Sequence, residues 1–353
     1  MPYPENKRLP HILNKMDSCL QGKIPFAIYR KPLENKITGV FQADGLLHQT
    51  KDFSEKGFVF APFNLENGIV LIKPDEILSS TFDVEQASES KEIKTSDLGK
   101  EEHLDLINKG IDQIKSGKLR KVVLSRKIEV KVDTHPQEIF KQLLKRYPNA
   151  FCYLLHHPKV GTWCGATPET LVRIKHGKLK TMSLAATVPF KANEAPQWGQ
   201  KEMEEQQMVS DYIEQRMEST IDELYIGKPE SIRAGNLWHL KSEVSGTLPK
   251  DADLKKIITA LHPTPAVCGI PYQLARDFIK NHENYKRTFY TGFLGELNLF
   301  TQDEISFFVN LRCMELHHGM ASIFVGGGIT AGSNPESEWI ETQNKSKTML
   351  DIL

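Results

Sequence analysis

A mixed α+β fold is what this sequence predicts, on three observations. Short β-prone runs separated by turn residues fill much of the first hundred positions and recur between 151 and 185. Apolar residues stand at helical spacing at Leu104, Ile107, Ile111 and Ile114, and a second helical pattern spans 199–226. Near the end, a strand-like run over 321–325 meets Gly326-Gly327-Gly328, and Ser333-Asn334-Pro335-Glu336 then opens a capped helix.

Charge balance narrows the classes of function. The 353 residues carry 45 Lys+Arg against 45 Asp+Glu, with a pI near 7.2. A net charge of zero offers no long-range attraction to nucleic acid or an anionic bilayer, so neither is an expected partner. No apolar run approaches the roughly 18 residues that cross a membrane, and no apolar signal segment follows the charged N-terminus, so a cytoplasmic protein is expected. Cys19, Cys152, Cys164, Cys268 and Cys313 are scattered and never form C-x-x-C. They are expected to be reduced core thiols, not a disulfide framework or zinc knuckle.

Taken in order, strands are expected at 24–29, 57–63 and 68–72, punctuated by Lys31-Pro32, Ala43-Asp44-Gly45 and Glu66-Asn67-Gly68. Over 82–102 the composition shifts to Ser, Glu, Lys and Asp, which suits an exposed connection. It separates a strand-rich part, 1–95, from a main body, 96–353, and the first part is expected to join the second. The helix carrying Leu104 to Ile114 ends at Ser116-Gly117, and a β-branched strand over 121–130 follows. Alternation puts Lys121, Val123 and Ser125 on one face of it and Val122, Leu124 and Ile128 on the other. Further strands fit 151–156, 162–165, 170–174 and 179–185, before the long helix over 199–226.

Within that helix Glu205 precedes Val209 and Ile213 at spacings of four, so its carboxylate runs along the inward stripe. A carboxylate there needs a metal or a cationic partner, or else it snorkels to water. The strand, glycine turn and helix start near the C-terminus form an anion cradle. Gly326, Gly328 and Ala331 satisfy G-x-G-x-x-A, but only about 22 residues follow, too few to complete a dinucleotide-binding unit. On the last helix Glu338, Glu341 and Lys345 share a face, and Trp339 and Ile340 are expected to pack inward. Glu341 and Lys345 could equally form an exposed ion pair. His239, within Leu237-Trp238-His239-Leu240, reads as a core histidine. No zinc-type histidine spacing, Walker loop or G-x-S-x-G is present.

Six segments together resemble the chorismate-utilising enzymes. These are Lys121-Val-Val-Leu-Ser-Arg126, Trp163-Cys-Gly-Ala-Thr-Pro-Glu169, Leu237-Trp-His-Leu240, His262-Pro-Thr-Pro-Ala266, Ile305-Ser-Phe-Phe-Val-Asn-Leu-Arg312, and the run from Gly326 through Asn334-Pro335-Glu336 to Glu341. The resemblance covers about 100 to 353 and implies one α+β body of packed, mainly antiparallel sheets with helices outside. In that family a lysine before V-V-L-S-R marks the branch that delivers water to C2 of chorismate, and glutamine marks the branch that delivers ammonia. Here it is Lys121, and Ala185 occupies the place of the lysine nucleophile of the aminodeoxychorismate branch. The implied activity is that of an isochorismate synthase, with chorismate as partner and no glutaminase subunit. Salicylate synthase, which goes on to eliminate pyruvate, is the alternative, and a chorismate-binding protein without catalysis is a third reading. The downstream route, whether menaquinone, siderophore or salicylate, is left open.

The resemblance also implies roles. Lys121 would be the general base toward water and Glu169 the general acid toward the departing C4 hydroxyl. Glu205 and Glu341 would hold Mg2+. Arg312, Gly326 and Lys345 match positions that contact substrate carboxylates, and Ala186, Thr187, His239 and Ala266 match substrate-lining positions. Two departures stand out: Glu202 and Gln206 replace Asp and His of K-D-x-x-E-H, and Ala186 stands where the family has a glycine in P-L-A-G-T.

Overall fold

The structure, a computed structural model, describes residues 5–82, 93, 95–190, 194–234 and 237–353. Their strands form two ten-stranded sheets, antiparallel except where Glu5–Asn6 pairs with Glu76–Thr81. The first sheet runs, edge to edge, Glu5–Asn6, Glu76–Thr81, Lys36–Phe41, Phe26–Arg30, Phe151–His157, Gly161–Thr167, Cys313–His317, Met320–Ile329, Lys121–Lys131 and Gly269–Ile270. The second runs Asp222–Ile226, Leu237–Thr247, Lys178–Pro189, Thr170–Lys175, Ile305–Val309, Phe293–Leu297, Gly57–Ala61, Ile69–Ile72 and His48–Thr50, with Glu230–Ala234 also paired to Leu237–Thr247. The N-terminal strands are thus built into both sheets: Phe26–Arg30 pairs with Phe151–His157, and Gly57–Ala61 pairs with Phe293–Leu297.

Period-two alternation turns one face of each sheet toward the other, and that interior is aromatic. Phe151 stacks on Phe308 at 4.2 Å between ring centroids, Phe60 on Phe289 at 4.2 Å, and Trp163 on Phe324 at 5.3 Å. Each such side chain contributes on the order of 2–3 kcal/mol by leaving water. The outer faces are covered by α1 (Leu9–Gly22), α2 (Lys100–Lys115), α3 (Pro136–Arg146), α4 (Gln200–Met217), α5 (Leu254–Leu261), α6 (Tyr272–His282) and α7 (Pro335–Leu350). Helices α1, α3 and α7 pack on the first sheet, α4 and α5 on the second. Helices α2 and α6 bury Val122 and Leu124, the apolar face expected for their strand.

Several expectations are corrected. The helix expected over 199–226 stops at Met217, where Thr220 Oγ1 donates to Met217 O at 3.0 Å, and Asp222–Ile226 is an edge strand instead. Gly326-Gly327-Gly328 is not a turn. These glycines remain inside Met320–Ile329, paired with Ser125, Leu124 and Val123, so the expected strand-turn-helix anion cradle is absent. A Cβ at Gly326 would stand 2.8 Å from Leu124 O, so the glycine serves close backbone approach. Ile340 is exposed, and Glu338 takes the inward place beside Trp339. The start of α7 is as expected, with Asn334 Oδ1 accepting from Ser337 N at 3.0 Å and Pro335 in the first turn. Helix α1 has no counterpart in the expected strands of the first hundred residues. The connection expected over 82–102 lies in part outside the described residues. All five cysteines are buried and free. Among the described residues no helix is long and apolar enough to cross a membrane.

Trp163 touches rings from both sheets, meeting Phe60 and Phe289 edge-on as well as stacking on Phe324. Trp163→Ala is expected to cost about 3–5 kcal/mol. In denaturant titration this appears as a lower midpoint at unchanged slope.

Candidate active site

Two places where the chain crosses between the sheets position the site. At Pro168-Glu169 it leaves Gly161–Thr167 in the first sheet for Thr170–Lys175 in the second, dropping the Glu169 carboxyl between them. Residues 310–312 cross back, from Ile305–Val309 to Cys313–His317, and bring in Arg312 with φ of 47°. Backbone bonds stitch each crossover to its neighbour: Val309 N donates to Glu169 O at 2.9 Å and Ala166 N to Arg312 O at 3.0 Å.

Around these crossovers is a cavity of about 100 Å3. It is lined by Glu169, Ala186, Thr187, Glu205, His239, Ala266, Arg312, Gly326, Glu341 and Lys345, all predicted from the sequence. Lys121, the remaining predicted residue, stands just behind the wall. Its side chain is buried beside Gly328, and its Nζ donates to Glu205 Oε1 at 2.8 Å. A Cβ at Gly328 would lie 2.7 Å from Glu205 Oε1 and 3.0 Å from Lys121 Cε, so the glycine makes room for this pair.

Three carboxylates crowd this end of the cavity, and each has its own lysine. Lys121 pairs with Glu205, Lys201 with Glu338 at 2.9 Å, and Lys345 with Glu341 at 2.6 Å. A Cβ at Gly327 would meet Glu338 Oε2 at 3.3 Å and Glu341 Oε1 at 3.8 Å, one residue from the contact with Glu205. Burial raises the pKa of the Glu338 carboxyl, and the neighbouring Glu341 raises it further against the pull of Lys201. Burial also pushes Glu205 up, but the charges of Lys121, Lys345 and Lys201 outweigh it and hold that carboxyl below the usual range. Glu338 Oε2 is buried with no hydrogen-bond partner.

An all-oxygen cluster with an orphaned, buried carboxylate oxygen suits a hard divalent cation such as Mg2+. Among the described residues no three His, Cys, Asp or Glu side chains stand grouped as a metal site, and each of these carboxylates is ion-paired to a lysine. Glu205 and Glu341 could hold the ion, with Glu338 beside them.

The rest of the wall is set for anions and for one proton. Burial raises the Glu169 carboxyl to about 8, against the smaller opposing effects of Lys121 and Lys345, so it carries a proton near neutral pH. Burial, with Arg312 and Lys345 nearby, pushes His239 down to about 3. The neutral ring carries its proton on Nδ1, which faces Ala186 O at 3.0 Å and Thr187 Oγ1 at 3.2 Å. Nε2 is left to accept from Arg312 Nη2 at 3.5 Å. Lys345 Nζ also donates to Gly326 O at 2.9 Å. Ala186 sits at an irregularity in the pairing of Lys178–Pro189 with Leu237–Thr247, and its φ of 57° is left-handed.

A buried ion pair behind the cavity fixes its frame. Arg287 Nη2 donates to Glu283 Oε1 at 2.6 Å and to Val123 O at 2.7 Å, and its Nη1 donates to Val267 O at 2.8 Å. Glu283 Oε1 in turn accepts from Ser125 N at 2.8 Å. Sequence reasoning missed this pair and also Lys201, Glu338 and Tyr290, which belong to the site or its wall. Lys201, four residues before Glu205 on one helix face, was the readable signal. Tyr290 lies between strands with no periodic pattern around it.

The family model described as "Chorismate binding enzyme" matches residues 70–353. Isochorismate synthase 2, chloroplastic, of Arabidopsis thaliana is 33% identical over 253 residues, which are 68% of this chain and 44% of that one. Isochorismate synthase DhbC of Bacillus subtilis is 29% identical over 319 residues, 82% of this chain and 78% of that one. A crystal structure of the Bacillus anthracis protein assigned as DhbC, a 2,3-dihydroxybenzoate-specific isochorismate synthase, has a TM-score of 0.81 and 25% identity, covering 95% of this chain and 98% of that one. The chain spans 44–65% of the length of several curated relatives that it matches.

An alanine in left-handed conformation costs about 1–2 kcal/mol, and glycine returns part of that gain as unfolded-chain entropy. Ala186→Gly should therefore stabilise the protein slightly, raising Tm by roughly 1–3 °C in a thermal melt. A fall in Tm would show that the methyl group packs favourably.

Proposed function

We propose that this chain, which belongs to the chorismate binding enzyme family, converts chorismate to isochorismate. The observation that carries this reading is Glu169, a buried carboxyl in the cavity that keeps its proton to about pH 8, together with the buried Lys121 just behind the cavity wall and close enough to act on its charge. Replacing the C4 hydroxyl of chorismate by a hydroxyl at C2 needs an acid for the leaving oxygen and a base for the entering water.

Glu169 gives its proton to the departing C4 oxygen. Lys121 must be neutral to take the proton of the water that attacks C2; Glu205 turning toward the cavity removes the carboxylate that holds it as an ammonium, and its proton then leaves to solvent. Arg312 and Lys345, helped by the backbone N–H of Gly326, hold the substrate carboxylates and orient the ring between the two groups. His239, neutral and anchored to Ala186 O, keeps the Arg312 fork in place. Glu205 and Glu341 would hold Mg2+, which would supply positive charge against the substrate carboxylates. Lysine in place of glutamine at 121 favours water over ammonia as the nucleophile. In this reading the enzyme is an isomerase of the cytoplasm, with free chorismate as its small-molecule partner and no obligatory glutaminase subunit.

Purified protein with chorismate and Mg2+ is expected to form an isomer of unchanged mass without pyruvate, read by chromatography with mass detection. Salicylate with equimolar pyruvate would assign it to the salicylate-forming branch, and an aminated product with ammonia would overturn the role of Lys121. Lys121→Ala and Glu169→Gln should each lower kcat at least a hundredfold while chorismate still binds. Activity should also fall as pH rises through about 8, because Glu169 then loses the proton it must donate. A rate that stays level to pH 10 would remove Glu169 as the acid.

A further inference from the structure

A second cavity lies back to back with the first, across Arg312. Its volume is about 220 Å3. Guanidinium groups reach it from three separate places: Arg146 at the end of α3, Arg233 on the edge strand Glu230–Ala234, and Arg312 on the crossover. Between them Tyr147, Pro148 and Pro168 line it, with the polar Asn149 and Thr348.

The hydrogen bonding of this wall points to an anion. Arg146 Nη1 is paired with Asp351 at 2.6 Å, but its Nε is buried without an acceptor. Arg312 Nη1 donates only to the hydroxyl of Thr348, at 3.1 Å. A buried donor left without a partner costs on the order of 1–3 kcal/mol, so Arg146 gains by turning its guanidinium toward an incoming carboxylate. The guanidinium of Arg233, stacked 3.5 Å from the ring centroid of Phe190, adds positive charge at the rim. An apolar cavity of about 150 Å3 is enough to hold benzene. Here there is room for one ring and a carboxylate.

We propose that this cavity is a binding site for a small aromatic carboxylate, and that its occupancy acts on the catalytic pocket through Arg312. The same guanidinium serves both cavities, with one nitrogen toward Thr348 and the other toward His239. A carboxylate in the second cavity draws Arg312 away from the substrate carboxylate that it holds in the first. Binding of the two ligands is therefore antagonistic without their sharing a site, and the weakening is reciprocal.

Benzoate is the probe. Calorimetric titration of the full chain without chorismate should show binding, and Arg233→Gln, an exposed position, should weaken it about tenfold while leaving the KM for chorismate unchanged. Arg146→Gln should do the same, and because Arg146 also ties α3 to the C-terminus, Arg233→Gln is the deciding variant. Benzoate should raise the KM for chorismate to a limiting plateau while leaving kcat unchanged, because both ligands can be bound at once. Strictly competitive inhibition with affinity unchanged in Arg233→Gln would place benzoate in the catalytic pocket and overturn the proposal, as would no heat up to roughly 10 mM. The calorimetric comparison does not depend on which reaction the protein catalyses, so it stands or falls apart from the proposed isomerisation.

Discussion

Charge compensation at the glycine strand is the constraint on which the rest of the site depends. Glu205, Glu338 and Glu341 converge on Gly327 and Gly328, and three carboxylates so placed would repel one another without nearby cations. Lys121, Lys201 and Lys345 supply those cations, and in doing so they tie the strand Lys121–Lys131 to α4 and α4 to α7. Removing one member of the most buried of these pairs, Lys121–Glu205, costs about 3–5 kcal/mol, because the survivor is left as an unpaired charge. The same arrangement is therefore a structural joint and a store of oxygen ligands.

The two sheets provide what such a cluster requires, a rigid and dry wall. Their aromatic interior holds them at a fixed separation, and the chain crosses between them beside that interior at 168–169 and 310–312. Glu169 and Arg312 owe their positions to those crossings. Burial then fixes their chemistry, since the carboxyl is pushed toward holding its proton while the guanidinium, pKa lowered by burial, lies beside a neutral histidine. The Glu283–Arg287 pair braces the same region from behind, holding the backbone at Val123, Ser125 and Val267. Ala186, Thr291 and Arg312 are lining positions at which a residue with a Cβ takes a left-handed conformation, so the sequence works against the backbone there.

Arg312 joins two otherwise separate cavities. A guanidinium has five donors in a rigid fork, more than one substrate carboxylate can use, and here they point both ways. This is the physical basis on which one side chain can bind substrate and sense a second anion.

The α+β class, the strand headed by Lys121, the capped start of α7 and the inward course of Glu205 were legible because each rests on local periodicity or capping chemistry. The resemblance named eleven site residues, and ten line one cavity, with Lys121 directly behind. The end of α4, the strand character of the glycine run, the exposure of Ile340 and the burial of Glu338 were not legible, since pairing partners and helix rotation are set by distant segments. Composition and spacing determined which residue types were available for acid–base work and for holding anions. Only the tertiary structure decided their charge states and partners, because those follow from desolvation and from lysines brought in across as many as 137 positions of chain, as Lys201 is to Glu338.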